Sequence, residues 1–176
     1  NYGERVKTKY DEELEEIYRR LHPARKALVK PLVQPIEEII KDFAAIKYEQ
    51  KGFDKEDTTE YYTVKGERVR SKSEKIIADK LYALGIPYRY EYPVKLKGYG
   101  TVYPDFTILK VSERKEIYYE HFGLMDKPEY CEKALRKLQA FARNGIVLGQ
   151  NLIATFESEN VPLDMNVLEK MLEELI

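Results

Sequence analysis

From Tyr10 to Leu21 the apolar residues Leu14, Ile17, Tyr18 and Leu21 fall at helical spacing, with acids early and Arg19-Arg20 late to suit the helix dipole. Ala24 to Lys30 is helix-favouring and is broken by Pro31 and Pro35. A second helix is predicted from Ile36 to Tyr48, with Ile36, Ile39, Ile40, Phe43 and Ile46 along one side. Lys51 to Glu60 is a charged connector, followed by a short strand at Tyr61–Val64 and a turn at Lys65-Gly66. The pattern then tightens. Ser71–Leu84 reads as a helix stopped by Gly85, Pro87–Val94 as a tyrosine-rich strand, and Gly98 and Gly100 as a turn. Two apolar, β-branched and aromatic runs follow, Val102–Leu109 and Ile117–Gly123, joined by the charged turn Lys110–Glu116 as in a hairpin. Pro128–Asn144 is predicted as a helix with Gly145 as its stop, Gly149–Phe156 as a strand, and Asp164 as the cap of a last helix carrying Val167, Leu168, Met171, Leu172 and Leu175.

This order divides the chain into a helical N-terminal region, 1–60, and an α/β domain, 61–176. Hydrophobic residues make up 43% of its 176 positions, enough for a core, and the 35% of charged residues are mixed in sign, as on solvated helix faces. The net charge of −1 gives no global basic signature, so any nucleic-acid contact must use a local basic face. Cys131 is the single cysteine and excludes an internal disulfide, which points to a reducing, cytoplasmic setting. No apolar run has the length of a membrane span, and no signal-peptide pattern follows Asn1; a start without methionine is expected of a fragment or processed chain.

Each of the two central strands carries a carboxylate, Asp105 in the first and Glu120 in the second, and a charge in mid-strand is costly unless something compensates it. Glu74 is a third candidate, in line with Ile77, Leu81 and Leu84 on what should be the buried stripe of its helix. Plainer readings exist for all three. Ser71-x-x-Glu74 fits a capping box, Tyr103-Pro104-Asp105 fits a turn, and Glu120 fits a buried salt bridge. Together they say more. Neighbouring carboxylates hold protons unless a cation neutralises them, and Mg²⁺ or Mn²⁺ suits a cluster of hard oxygen ligands. Such an ion serves phosphodiester hydrolysis.

Ser71-x-x-Glu74, Tyr103-Pro104-Asp105-Phe106 and Tyr119-Glu120-His121-Phe122-Gly123, on the order helix, strand, strand, strand, helix, strand, resemble the PD-(D/E)XK nuclease superfamily over about Gly66 to Glu157. The resemblance implies an α/β fold with a restriction-endonuclease-like core of order αβββαβ, a mixed sheet flanked by helices, and here an N-terminal helical extension. It implies metal ligation by Glu74, Asp105, Glu120 and the backbone carbonyl of His121. It also implies bacterial or phage relatives, some with nuclease modules beside DNA helicases, so a helicase-type partner or a homodimer is expected.

The family's lysine should stand two residues after the glutamate, and Phe122 stands there. Some superfamily members, viral cap-snatching endonucleases among them, supply it from the following helix. Here that helix offers Lys133 and Lys137, flanked by Tyr130 and Phe141 and bordering the apolar stripe Cys131, Ala134, Leu135, Leu138 and Ala142. The resemblance favours Lys137. On the strand face opposite Glu120, the His121 side chain is expected to pack and hydrogen-bond, and Gln150 is a further candidate neighbour of the site. Arg68, Arg70, Lys72 and Lys133 are the candidate phosphate contacts, and Tyr88, Tyr90 and Tyr92 either stack bases or pack. The expectation is a metal-dependent nuclease acting on DNA. The alternative is a nuclease-fold module that binds nucleic acid or a protein partner without cutting.

Overall fold

A computed structural model describes residues 12–26, 34–54 and 56–176. The chain divides into two compact units, one ending at Ala45 and the other spanning Ile46–Ile176, so the division falls earlier than the connector at 51–60. The first unit holds α1 (residues 12–20), a helical turn at 23–26 and α2 (Ile36–Ala45). The expected helix beyond residue 26 lies outside the described residues. Tyr18 is buried and its hydroxyl donates to Glu38 Oε2 at 3.1 Å, while Phe43 is the buried residue of α2. α2 stops three residues short of the expected Tyr48, whose hydroxyl instead donates to the Tyr90 carbonyl of the second unit's sheet at 2.9 Å.

The second unit is mixed α/β. Its elements are β1 (Tyr61–Tyr62), β2 (Arg68–Val69), α3 (Lys72–Ala83), β3 (Tyr88–Tyr90), β4 (Val94–Leu96), β5 (Gly100–Val102), β6 (Phe106–Lys110), β7 (Lys115–Phe122), α4 (Pro128–Arg143), β8 (Leu152–Phe156) and α5 (Met165–Glu173). The main sheet has four strands in the order β3-β6-β7-β8, antiparallel except for the parallel β7/β8 pair. β1/β2 and β4/β5 are separate hairpins. The single strand expected over Val102–Leu109 is therefore two strands. Pro104 has no N–H to give a ladder, so β5 ends at Val102 and the chain crosses into the main sheet at Phe106. The tyrosine strand is likewise cut short at Tyr90, because Glu91 turns into the left-handed region at φ 49°. Gly85 and Gly145 stop α3 and α4 at φ 68° and 77°, which suits residues without a Cβ.

Alternation along β7 splits the core into two layers. On one face Ile117 and Tyr119 join Tyr88, Tyr90, Phe106 and Ile108 beneath Ile77, Ala78 and Leu81 of α3 and Leu168 and Leu172 of α5. On the other face Tyr118 and Leu152 pack with Ala140 and Phe141 of α4 and with Leu96 and Val102 of the β4/β5 hairpin. Two helices thus cover one face and one helix covers the other. Among the described residues, no helix is long and apolar enough to cross a membrane.

Phe106 is fully buried between Tyr88, Tyr90 and Tyr119, with ring centroids 5.5, 5.7 and 5.9 Å away. Phe106→Ala is expected to lower the unfolding free energy by about 3–5 kcal/mol in urea titration. A loss below about 1 kcal/mol would show that this cluster does not hold the sheet together.

Candidate functional site

The β6/β7 ladder ends with Phe106 opposite Tyr119, and one step further the same register sets Asp105 opposite Glu120. There the backbone ladder gives way to a side chain: the His121 N–H donates to Asp105 Oδ2 at 2.6 Å. The N–H and C=O of one strand residue point the same way, so the His121 carbonyl is directed to the Asp105 side too. Asp105 is half-buried and Glu120 is 2% exposed. Burial, then the charges of Glu120 and Glu74, push the Asp105 carboxyl well above the ordinary carboxylate range. Burial also pushes Glu120 up, against the opposing effect of Lys137 and with a further contribution from Glu74.

Glu74 comes from the first turn of α3. Ser71 caps that helix, its Oγ accepting the Glu74 N–H at 3.1 Å, as the capping box predicts. The reciprocal half of the box is different. The Glu74 carboxylate does not turn back to the cap amide: Oε2 accepts from the Arg70 N–H at 2.9 Å and the Tyr90 hydroxyl at 2.7 Å, and Oε1 accepts from Ser71 Oγ at 3.1 Å. Tyr90, on the last position of β3, is a residue that sequence reasoning treated as a stacking candidate. Its place in the alternation with Tyr88 was the available signal, since that face is the buried one.

Lys137 and Lys133 part company. α4 is rotated from the expected stripe, with Ala134 and Phe141 buried and Leu135 58% exposed. That rotation carries Lys137 inward, between Ala134 and Phe141, and leaves Lys133 exposed. Lys137 Nζ donates to Glu120 Oε2 at 2.7 Å and lies 2.6 Å from Oε1. Oε1 is within reach of the same charge but receives no well-directed hydrogen bond from any neighbour. It is a buried anionic oxygen with unused acceptor capacity. Tyr130, two turns before Lys137, also borders the carboxylates: burial and the charges of Asp105, Glu120 and Glu74 push its phenol up, against a hydrogen bond with the Gly123 backbone.

The His121 ring packs on the opposite face, as alternation predicts. Its Nδ1 is 2.9 Å from Thr155 Oγ1, and its Nε2 is 3.1 Å from Glu157 Oε1, which also accepts from Ser73 Oγ at 2.7 Å. Against the effect of burial, the bonds from Ser73, His121 and the Leu163 N–H hold the Glu157 carboxyl below its usual range. This network ties α3, β7 and the end of β8 together behind the acids.

Of the candidate phosphate contacts, Arg68 and Arg70 spend their guanidinium donors inside the unit. Arg68 binds the Thr59 and Asp57 carbonyls at 2.9 and 2.8 Å, and Arg70 binds Glu91 Oε1 and the Gly52 carbonyl, both at 2.6 Å. Lys72 and Lys133 are exposed and have no ion pair among the described residues. Tyr88 and Tyr90 are buried and Tyr92 packs edge-on to Tyr48 at 5.0 Å, so the tyrosines are packing residues rather than a stacking surface. Gln150 lies in the turn before β8 and lines a cavity of about 440 Å³ with Leu148, Phe156 and Met171; none of the three carboxylates lines it.

The residues whose chemistry suits a hard divalent cation are Glu74, Asp105 and Glu120: anionic oxygens, mutually repelling, one of them incompletely bonded. Among the described residues, no three His, Cys, Asp or Glu side chains are gathered as a ready-made metal site. The acids face one another without closing into a cage. A raised carboxylate pKa stabilises the fold below the ordinary value of about 4 and loses that contribution as pH rises through the folded-state value. Without divalent ions, these acids should therefore make the melting temperature fall as pH rises above about 4. Asp105→Asn should flatten that fall and raise the melting temperature at the alkaline end by about 2–4 °C. Scanning calorimetry with chelator present checks both; identical pH profiles for the two proteins would show that Asp105 carries no such strain.

No protein-family model matches the chain, and no solved structure matches it. It is similar to an uncharacterized protein of Methanocaldococcus jannaschii, 29% identical over 122 residues, which cover 62% of this chain. The match spans about 10% of that archaeal protein's length.

Proposed function

We propose that this chain is a metal-dependent nuclease of the PD-(D/E)XK type, hydrolysing phosphodiester bonds, with DNA the favoured substrate. The observation that carries the reading is the buried Glu120, gripped by Lys137 from the next helix and set opposite Asp105 across one strand pair. The order α3, β3, β6, β7, α4, β8 and the mixed sheet support a restriction-endonuclease-like core around it. Glu74, Asp105, Glu120 and the His121 carbonyl would hold Mg²⁺ or Mn²⁺. When bound, such an ion supplies Lewis-acid polarisation of a phosphoryl oxygen and acidification of water.

The chain's own residues do the rest. Asp105 and Glu120 are pushed up by burial and neighbouring negative charge, so these two release their protons more readily as opposite charge arrives. Lys137, whose Nζ lies 5.8 Å from the Phe141 ring centre, is placed to offset negative charge developing on the phosphoryl oxygens. Exposed Lys72 and Lys133 offer contacts to the substrate backbone. A non-cutting, nuclease-fold binding module is the second reading. It is favoured by Phe122, buried in the family's lysine position, and by the open arrangement of the acids.

Cleavage of single- and double-stranded DNA and RNA oligonucleotides with Mn²⁺ separates the two. Asp105→Ala, Glu120→Gln and Lys137→Ala are each expected to lower the rate by at least about 100-fold. Lys133→Ala is expected to stay within about threefold, as for the loss of one phosphate contact. Full activity in Lys137→Ala would remove the lysine assignment, and no Mn²⁺-dependent cleavage by wild type would leave the binding module.

A further inference from the structure

We propose that Arg70 and Glu91 are positioning residues that lock the arms bearing Glu74 and Asp105 into one frame, an inference that rests on the nuclease reading above. Arg70 precedes the cap of α3, and Glu91 directly follows β3. Their side chains meet in a forked pair, Arg70 Nε to Glu91 Oε1 at 2.6 Å and Nη2 to Oε2 at 3.2 Å. Glu91 is 4% exposed, and Arg70 is held further by the Gly52 carbonyl and by Phe53, whose ring centre lies 4.6 Å from the guanidinium carbon.

The backbones of this pair hold the acids. The Arg70 N–H donates to Glu74 Oε2 at 2.9 Å, and the Glu91 N–H donates to the Asp105 carbonyl at 3.1 Å. Between them, the Tyr90 hydroxyl donates to the same Glu74 oxygen at 2.7 Å. Glu74 on α3 and Asp105 before β6 are far apart in sequence and share no direct bond. The path Glu74, Arg70, Glu91, Asp105 connects them through hydrogen bonds and one ion pair. Its geometry is demanding: a lysine at Arg70 cannot span both carboxylate oxygens while reaching the Gly52 carbonyl.

Glu91 also sits at φ 49°, a left-handed conformation in which an L-residue with a Cβ is strained and glycine is not. A glutamate persists there in spite of the backbone, and the guanidinium is what its carboxylate serves. Strain of this kind, over-determined by its surroundings, is a mark of a functional region. It also supplies an experiment, since glycine at this position relieves the backbone while removing the side chain that meets Arg70.

The test uses the full chain and its Glu91→Gly, Arg70→Met and double variants. Mn²⁺ binding is measured by calorimetry without substrate, alongside the Mn²⁺ dependence of oligonucleotide cleavage. Each single variant should weaken Mn²⁺ binding by about tenfold or more, the usual size for loss of a group that orients ligands. The double variant should be no weaker than the singles, because both break one link. KM for the oligonucleotide should stay near wild type, and the weakened Mn²⁺ binding should persist at temperatures well below each variant's own melting temperature, which a merely destabilised fold would not produce. In metal-free protein, amide exchange at Arg70 should accelerate in Glu91→Gly, and at Glu91 in Arg70→Met. Mn²⁺ binding within about twofold of wild type in both single variants would overturn the frame. Should wild type bind no Mn²⁺, the nuclease reading fails instead, and the metal-free exchange rates alone decide: unchanged rates overturn the frame, accelerated ones uphold it.

Discussion

A carboxylate does not stay ionised inside a sheet without a cation against it, and on Glu120 that cation is the Lys137 ammonium, within 2.7 Å of both oxygens. Asp105 stands opposite and has no ion pair among the described residues; its carboxylate accepts the His121 amide N–H. One positive charge therefore compensates one acid of a facing pair, while Glu74 adds a third negative field from α3. The result is a facing pair of acids served by one cation at the end of the β6/β7 ladder, with Asp105 pushed toward its protonated form. A purely structural salt bridge would need only Glu120 and Lys137. The presence of Asp105 across the register is what a stability argument leaves without a purpose, since like charges at this spacing oppose folding.

Much of this was legible along the chain because period and punctuation agree. The Ile77/Leu81 stripe, the stops at Gly85 and Gly145 and the carboxylates embedded in apolar runs each announce their place. What was not legible depends on contacts distant in sequence. Local chemistry left the break at Pro104 open, since Tyr103-Pro104-Asp105 fits a turn as well as a strand, and nothing local says that its two sides join different sheets. Nothing local says that Tyr90 turns its hydroxyl to Glu74, or that α4 buries Lys137 in preference to Leu135. Those are decided by the facing layer.

The basic residues show the same division. Arg68 and Arg70 occur in a run of cations before α3, which in sequence reads as a surface for phosphate. Their forks are instead filled by carbonyls of the 52–59 segment and by Glu91, with Phe53 beneath both guanidinium groups at 4.1 and 4.6 Å. Arginine suits such sites because its planar donors bind several acceptors at once while its face stacks on a ring. The segment before the sheet is thereby fastened to the approach to α3. Under the nuclease proposal, contact with a polyanion would fall to lysines, which hold their charge at the end of a flexible stem and form weaker geometric commitments. That fits contacts that are independent of sequence better than ones that read a base.

Phe122 brings the acid and its cation into a single argument. It occupies the position on β7 where a local lysine would stand, on the same strand face as Glu120, and it is 3% exposed and stacked on Phe156 at 5.4 Å. A charge there would have to displace that stack. The cation instead arrives from α4, at the cost of turning Leu135 outward to 58% exposure. A lysine on β7 would be aligned by the strand alone, whereas Lys137 is aligned only while Ala140 and Phe141 are docked against Leu152 and the β4/β5 hairpin. Charge compensation at Glu120 is therefore conditional on tertiary packing of that layer. Loosening α4 would separate the ammonium from a carboxylate that cannot leave the sheet, and breaking one side of a buried pair costs about 3–5 kcal/mol. The electrostatics of the acids and the docking of α4 are, on this geometry, one cooperative unit.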